Sequence, residues 1–412
     1  MTTLADRLRG VVRPVASPPQ VSEQRPDTAA EILGGDWRDE DGLRYLVVNR
    51  TYASGYLHGH ASVEESLPPA DGVWPTLPLL EPSVRDGRLL FLDLETTGLA
   101  GGAGTYAFLV GCGWFEGATF RTRQFFLSNY TAERALLGGV AVDAAAASGV
   151  ITYNGKSFDL PLIETRFALQ RMTTPFAGLP HVDMLHPARR LWRRDDHLGE
   201  ATGCRLTMLE ETLCGHRREG DVPGFEIPSR YFHFVRTGDP RPLEAVLEHN
   251  RLDLLALALV TARASRLLGE GAAGVRTARE AVGLGRLYER AGLMVQAAEC
   301  YERAGDVPGD VMALAEALRA YALLLRRGRR YDAAADAWSR LLELPQCPPI
   351  MAREASEALA VHHEHRARDL EQARRFAVQS LQFEISEGRQ AAIRHRLARI
   401  DRKIGEPLSS LY

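Results

Sequence analysis

Asp93 and Glu95 stand two residues apart in the apolar run FLDLETTGL. A strand alternates its side chains, so both carboxylates leave the same face, where paired negative charges are costly unless cations neutralise them. Alone, such a pair reads as the solvated face of an edge strand. More carboxylates are needed for chemistry, and two further segments supply them. In TYNGKSFDLPLIETR, Asn154 and Gly155 end a strand and Asp159 opens a helix. α/β proteins build sites at such corners, although Asp is also a preferred helix N-cap. In EHNRLDLLAL, His249 and Asp253 are i and i+4 of a helix and share one of its faces.

Other residues could serve substrate. Thr96, Thr97 and Gly98 offer backbone groups where side chains would obstruct a nucleotide, or simply form a tight turn. Asn154 is a hydrogen-bonding group for sugar or base, or an Asx turn. Lys156, which with Lys403 is one of two lysines among 50 basic residues, is a phosphate contact or an exposed loop charge. Arg189, Arg190, Arg193 and Arg194 surround Trp192, a combination that holds phosphates and stacks a base, or a charged helix face with one buried Trp. Asp183 reads as a helix cap. The run Arg326, Arg327, Arg329 and Arg330 guides nucleic acid or answers a helix dipole.

The elements that must position these residues are legible from periodicity. LLFLDLE, YAFLVGCGWF and ATFRTRQFFL predict three antiparallel strands from residue 88 on, and VITYN a further short strand. Helices are expected over 131–147, 159–169, 185–194 and 243–268. We read residues 1–42 as an N-terminal helix and flexible linker, 43–87 as a β appendage with a Pro-rich connector, and 88–270 as an α/β domain whose mixed sheet is flanked by helices. Residues 275–405 read as all-α repeats. Leu284, Gly285, Tyr288, Ala297, Tyr301 and Ala304 fall at tetratricopeptide spacings, and Ala322, Leu325, Ala334 and Trp338 repeat the pattern. A third copy around Val361, Ala373 and Ala377 is weaker, with Glu364 in an aromatic slot, and a closing helix follows it.

Composition bounds the function classes. The 412 residues are 45% hydrophobic and 25% charged, which excludes a disordered chain. Lys and Arg number 22 against 18 Asp and Glu from Ala272 to Gly405, but 28 against 35 elsewhere, so the two halves present different surfaces. No apolar run suits a membrane span or signal peptide, and five cysteines without C-x-x-C spacing fit neither a disulfide framework nor a zinc knuckle. The expectation is a cytoplasmic chain with reduced thiols, no membrane association and no histidine or cysteine cluster competing for zinc.

Together the three acidic segments resemble the motifs of the DEDD 3′-to-5′ exonuclease superfamily, which shares the ribonuclease-H-like fold. With HPARRLWR and DVPGFEIPSRYF they are more closely similar to the YprB type of ribonuclease-H-like domain. The resemblance spans about residues 89–268 and implies that Asp93, Glu95, Asp159 and Asp253 bind two divalent ions, Mg²⁺ or Mn²⁺. Four carboxylates with all-oxygen ligands suit those hard cations, and a pair of them about 4 Å apart supports in-line phosphodiester hydrolysis. His249 departs from the superfamily pattern, since it holds the position usually given to Tyr while Glu248 holds the His position. Its imidazole would orient or deprotonate water, or bond to Asp253.

The expected activity is a metal-dependent 3′-to-5′ exonuclease on nucleic acid that is single-stranded or carries a free 3′ end, with a protein partner on the repeats. An endonuclease on the same fold, or a noncatalytic scaffold acting through the repeats, are the rivals.

Overall fold

A computed structural model describes residues 27–68, 74–84, 86–98, 104–193, 204–384 and 386–405. The expected helix and linker before residue 27, and Arg194, lie outside the described residues. The chain sorts into two compact units, one drawn from 1–73, 84–183 and 210–260, the other from 74–83, 184–209 and 261–412.

The first unit is built on seven strands: β1 (Asp36–Glu40), β2 (Leu43–Ala53), β5 (Leu89–Thr96), β6 (Ala107–Glu116), β7 (Thr119–Phe126), β8 (Gly149–Thr152) and β9 (His181–Asp183), ordered β1-β2-β7-β6-β5-β8-β9. The first five are antiparallel to their neighbours, while β5, β8 and β9 run parallel. β3 (Leu57–His58) and β4 (Ala61–Ser62) form a separate hairpin. β5 and β6 are apolar almost throughout because helices cover both faces of the sheet centre.

The strand at 43–53 corrects the appendage expectation. It pairs with β7 over eight residues and belongs to the main sheet, because Leu46, Val47 and Val48 need the same core as Phe125 and Phe126. The helix Ile227–Thr237, absent from the expected set, docks through Tyr231. That ring stacks on Phe108 at 4.1 Å, and its hydroxyl donates to the Leu127 carbonyl. Helix Asp159–Leu169 has the expected bounds, and Arg241–Glu270 exceeds its expected span by two residues at each end.

The second unit carries paired helices: Ala278–Arg290 with Met294–Arg303, Val311–Arg327 with Tyr331–Leu342, and Pro349–His362 with Leu370–Gln382, followed by Glu387–Gly405. Gly285 lets the first pair close, since a Cβ there would run into the Tyr301 ring. Glu364, in its expected aromatic slot, is instead buried and hydrogen-bonded by Arg399 and Lys403 of the last helix. No described helix is long and apolar enough to cross a membrane.

Candidate active site

Asp93 and Glu95 lie on β5, next to a bulge at Glu95 and Thr96 that ends its regular pairing with β6. Bulges re-aim side chains beside active sites. Asp159 is the first residue of its helix, directly after Phe158 at the N-cap. Asp253 and His249 come from the helix Arg241–Glu270, with His249 Nε2 3.6 Å from Asp253 Oδ2 and 4.0 Å from Glu95 Oε1. Side-chain exposures of 13% for Glu95, 15% for His249 and 16% for Asp253 make the site recessed yet reachable from solvent.

The electrostatics report the convergence. Burial, then the charges of Asp253, Glu95 and Asp159, push the Asp93 carboxyl well above its ordinary range, with a hydrogen bond from Asn250 opposing. Burial, then Asp253, Asp159 and Asp221, do the same to Glu95 against the pull of Arg218. Asp159 is pushed up to about 7, chiefly by burial; backbone hydrogen bonds with Leu94 and Asp159 itself work against the rise, and Asp183 and Asp253 add to it. A further group of ligand atoms, within 4.8 Å of one another, lies at His58, Glu210 and His216.

Four supporting residues are not evident from the sequence. Asn250, fully buried, donates to Asp93 Oδ2 at 2.7 Å, and its own oxygen accepts from Gln124 at 2.9 Å, so the amide is locked toward the carboxylate. Gly111, paired with Asp93 in the sheet, makes room for it; a Cβ there would strike the Asn250 amide. Asp221 accepts from or shares a proton with His249 Nδ1 at 2.6 Å, leaving Nε2 toward Glu95 and Asp253. Arg218 bonds Asp253 at 2.6 Å and Glu210 at 2.6 Å. Only the GCG register of Gly111 on a buried strand hinted at any of this.

The remaining candidates divide. Thr96 and Thr97 spend their hydroxyls on the local turn, donating to the Gly98 carbonyl and accepting from the Tyr106 N–H respectively. Asn154, at φ +70°, and exposed Lys156 sit on the corner before Asp159. Asp183 ends β9 and is no helix cap: its two oxygens accept the backbone N–H groups of Asn154 at 2.7 Å and Lys156 at 3.1 Å and so pin that corner. Arg189, Arg190, Trp192 and Arg193 belong to the other compact unit. Trp192 is buried there and donates to Glu280 at 2.9 Å, which corrects the expectation of an open stacking face. The three arginines, with Arg279, Arg286 and Glu316, line a cavity of about 400 Å³, where burial and the Arg290 charge hold Arg190 below its ordinary pKa.

Residues 90–265 match the family described as the RNase H superfamily. Over 319 residues the chain is 30% identical to the uncharacterized protein YprB of Bacillus subtilis (strain 168), covering 77% of this chain and 75% of that protein. The family B DNA polymerase of the hyperthermophilic archaeon Pyrobaculum calidifontis shares 13% identity at a TM-score of 0.34, over 50% of this chain and 29% of the polymerase.

Proposed function

As the chain belongs to the RNase H superfamily, we propose that it is a metal-dependent nuclease, a 3′-to-5′ exonuclease acting on single-stranded nucleic acid. The observation that carries the reading is that Asp93, Glu95 and Asp159 are raised in pKa together, by burial first and by one another's and Asp253's charges second. Such a set is self-repelling at neutral pH. Its all-oxygen donors fit Mg²⁺ or Mn²⁺, so these four residues are the proposed ligands of two ions. Bound there, the ions would supply Lewis acidity to the attacking water and the leaving 3′ oxygen.

The protein groups do the rest. His249 takes the proton of the attacking water at Nε2, since Asp221 engages Nδ1 and fixes the ring, the arrangement that orients and strengthens an imidazole base. Asn250 holds Asp93 in one rotamer against the repulsion of its neighbours. Backbone groups of Thr96, Thr97 and Gly98 meet the terminal nucleotide, Asn154 its sugar or base, and Lys156 the phosphate. Phe158, 58% exposed and adjacent to Asp159, is a platform for an unpaired base, which favours a single strand. In the second unit, Arg189, Arg190 and Arg193 bind polyanion backbone at their arginine-lined cavity, and the helical pairs act as tetratricopeptide-like repeats that recruit a protein.

The test is degradation of single strands labelled at either end, with Mg²⁺ or Mn²⁺. The reading expects stepwise loss from the 3′ end, none with chelator, and none from a circular single strand. Cutting of the circle would mean an endonuclease, and binding without cleavage a scaffold.

A further inference from the structure

Hairpin β3–β4 and the segment from Glu210 on bring His58 together with Glu210 and His216, which lie about 150 residues further along the sequence. His58 is 1% exposed and Glu210 fully buried. His58 Nε2 lies 2.5 Å from Glu210 Oε1, and the His58 ring stacks on His216 with centroids 4.0 Å apart. The second Glu210 oxygen accepts from Arg218 Nε at 2.6 Å.

The two segments are fitted backbone to backbone. Gly59, at φ +65°, passes so close to the Cys214 carbonyl that no Cβ could be accommodated, and the His60 N–H donates to that carbonyl at 2.7 Å. Residues Glu210–Cys214 form a π-helical turn, a local distortion common at functional sites.

A buried His–Glu pair serving structure alone should be fully hydrogen-bonded. This one is not: His58 Nδ1 is buried with no partner. When Nε2–H is given to Glu210, Nδ1 is a bare lone pair in the protein interior, the form in which an imidazole ligates metal, with a carboxylate behind it fixing the tautomer. The stacked His216 offers a second nitrogen, and the ligand atoms of all three residues fall within 4.8 Å of one another.

We propose that His58 and His216 ligate one zinc-type transition-metal ion at a site separate from the four carboxylates, with Glu210 holding His58 from behind through Nε2. Imidazole suits Zn²⁺, whereas Mg²⁺ prefers oxygen donors alone. With two imidazole ligands, the remaining tetrahedral positions are left for water. The ion clips the hairpin to the segment carrying Arg218. The proposal is independent of the nuclease reading, because it is tested on metal content whether or not the protein cleaves anything.

The full chain, purified without chelator, is analysed for metal by mass spectrometry, then stripped and titrated with Zn²⁺ and with Co²⁺ as an absorbing probe. One zinc per chain and Co²⁺ bands of low coordination number are expected. His58→Ala and His216→Ala should each lose that ion, while Asp93→Asn keeps it. His216 is the less buried of the two histidines, so its variant, checked for native circular dichroism, guards against loss through misfolding. A folded wild-type chain that takes up neither Zn²⁺ nor Co²⁺ would overturn the site. So would zinc that survives both histidine substitutions, or zinc that leaves with Asp93→Asn.

Discussion

Buried carboxylates meet opposite conditions in the two units. In the helical unit, burial works against the charge of Glu364, but hydrogen bonds from Arg399 and Lys403 outweigh it and bring the carboxyl down to about 2. In the α/β unit, burial and mutual repulsion drive Asp93, Glu95 and Asp159 upward. The same unit can pair an acid when only packing is at stake, as Glu133 and Arg166 show with bonds of 2.5 and 2.6 Å. A set of buried acids raised together fits the proposed chemistry, whereas the ion pair of Glu364 lowers its carboxyl.

The sharpest way to break this comparison is to neutralise one acid from each side. Asp93→Asn should lower kcat by more than about 1,000-fold, about 4 kcal/mol of barrier, with the fold intact. Glu364→Gln should leave kcat unchanged and cost about 1–3 kcal/mol in urea unfolding, because its cationic partners are partly exposed to water. Equal effects on activity would erase the distinction.

Arg218 joins the two kinds of acid, holding buried Glu210 while reaching Asp253. Removing one partner of a buried pair strands the other, so Arg218→Ala should lose about 3–5 kcal/mol of stability, read as a lower melting temperature. Little change would mean that Glu210 is carried by other contacts.

A smaller effect tests the support of Asp93. Gly111→Ala drives a methyl into the Asn250 amide and should weaken Mn²⁺ binding about 10- to 100-fold by calorimetry, as loss of a ligand's hydrogen-bond partner does.

The smallest is a difference in pH response. The folded-state pKa of Asp159 is raised to about 7. Its contribution to stability is fully present below its unfolded value of about 4 and is lost as pH rises through about 7. Mn²⁺ should thus raise the melting temperature more at about pH 8 than at about pH 5. Glu364 has the reverse sign: with its pKa lowered to about 2, its contribution is present above its unfolded value and is lost as pH falls toward 2.

Much of this was legible in the sequence where a single segment carried the signal. The D-x-E on a buried strand, Asp159 at a strand-to-helix corner, and His249 with Asp253 four apart on a helix each follow from local periodicity. What escaped was assembled from distant pieces. Asn250 shares the helix of His249, but its purpose depends on a glycine across the sheet and on Gln124 two strands away. Asp221 and Arg218 lie in a stretch without regular structure, so periodicity could not place them. His58 and His216 meet only when the hairpin folds over. Trp192 misled because a cationic helix face and a buried anchor have the same spacing; its partner Glu280 lies 88 residues on.

The central claim is that four carboxylates from three segments share divalent cations. Anomalous diffraction from crystals soaked in Mn²⁺ tests it most directly. Manganese peaks bounded by Asp93, Glu95, Asp159 and Asp253, absent from crystals of Asp93→Asn, are predicted; a wild-type crystal with no manganese among these four residues would contradict the account.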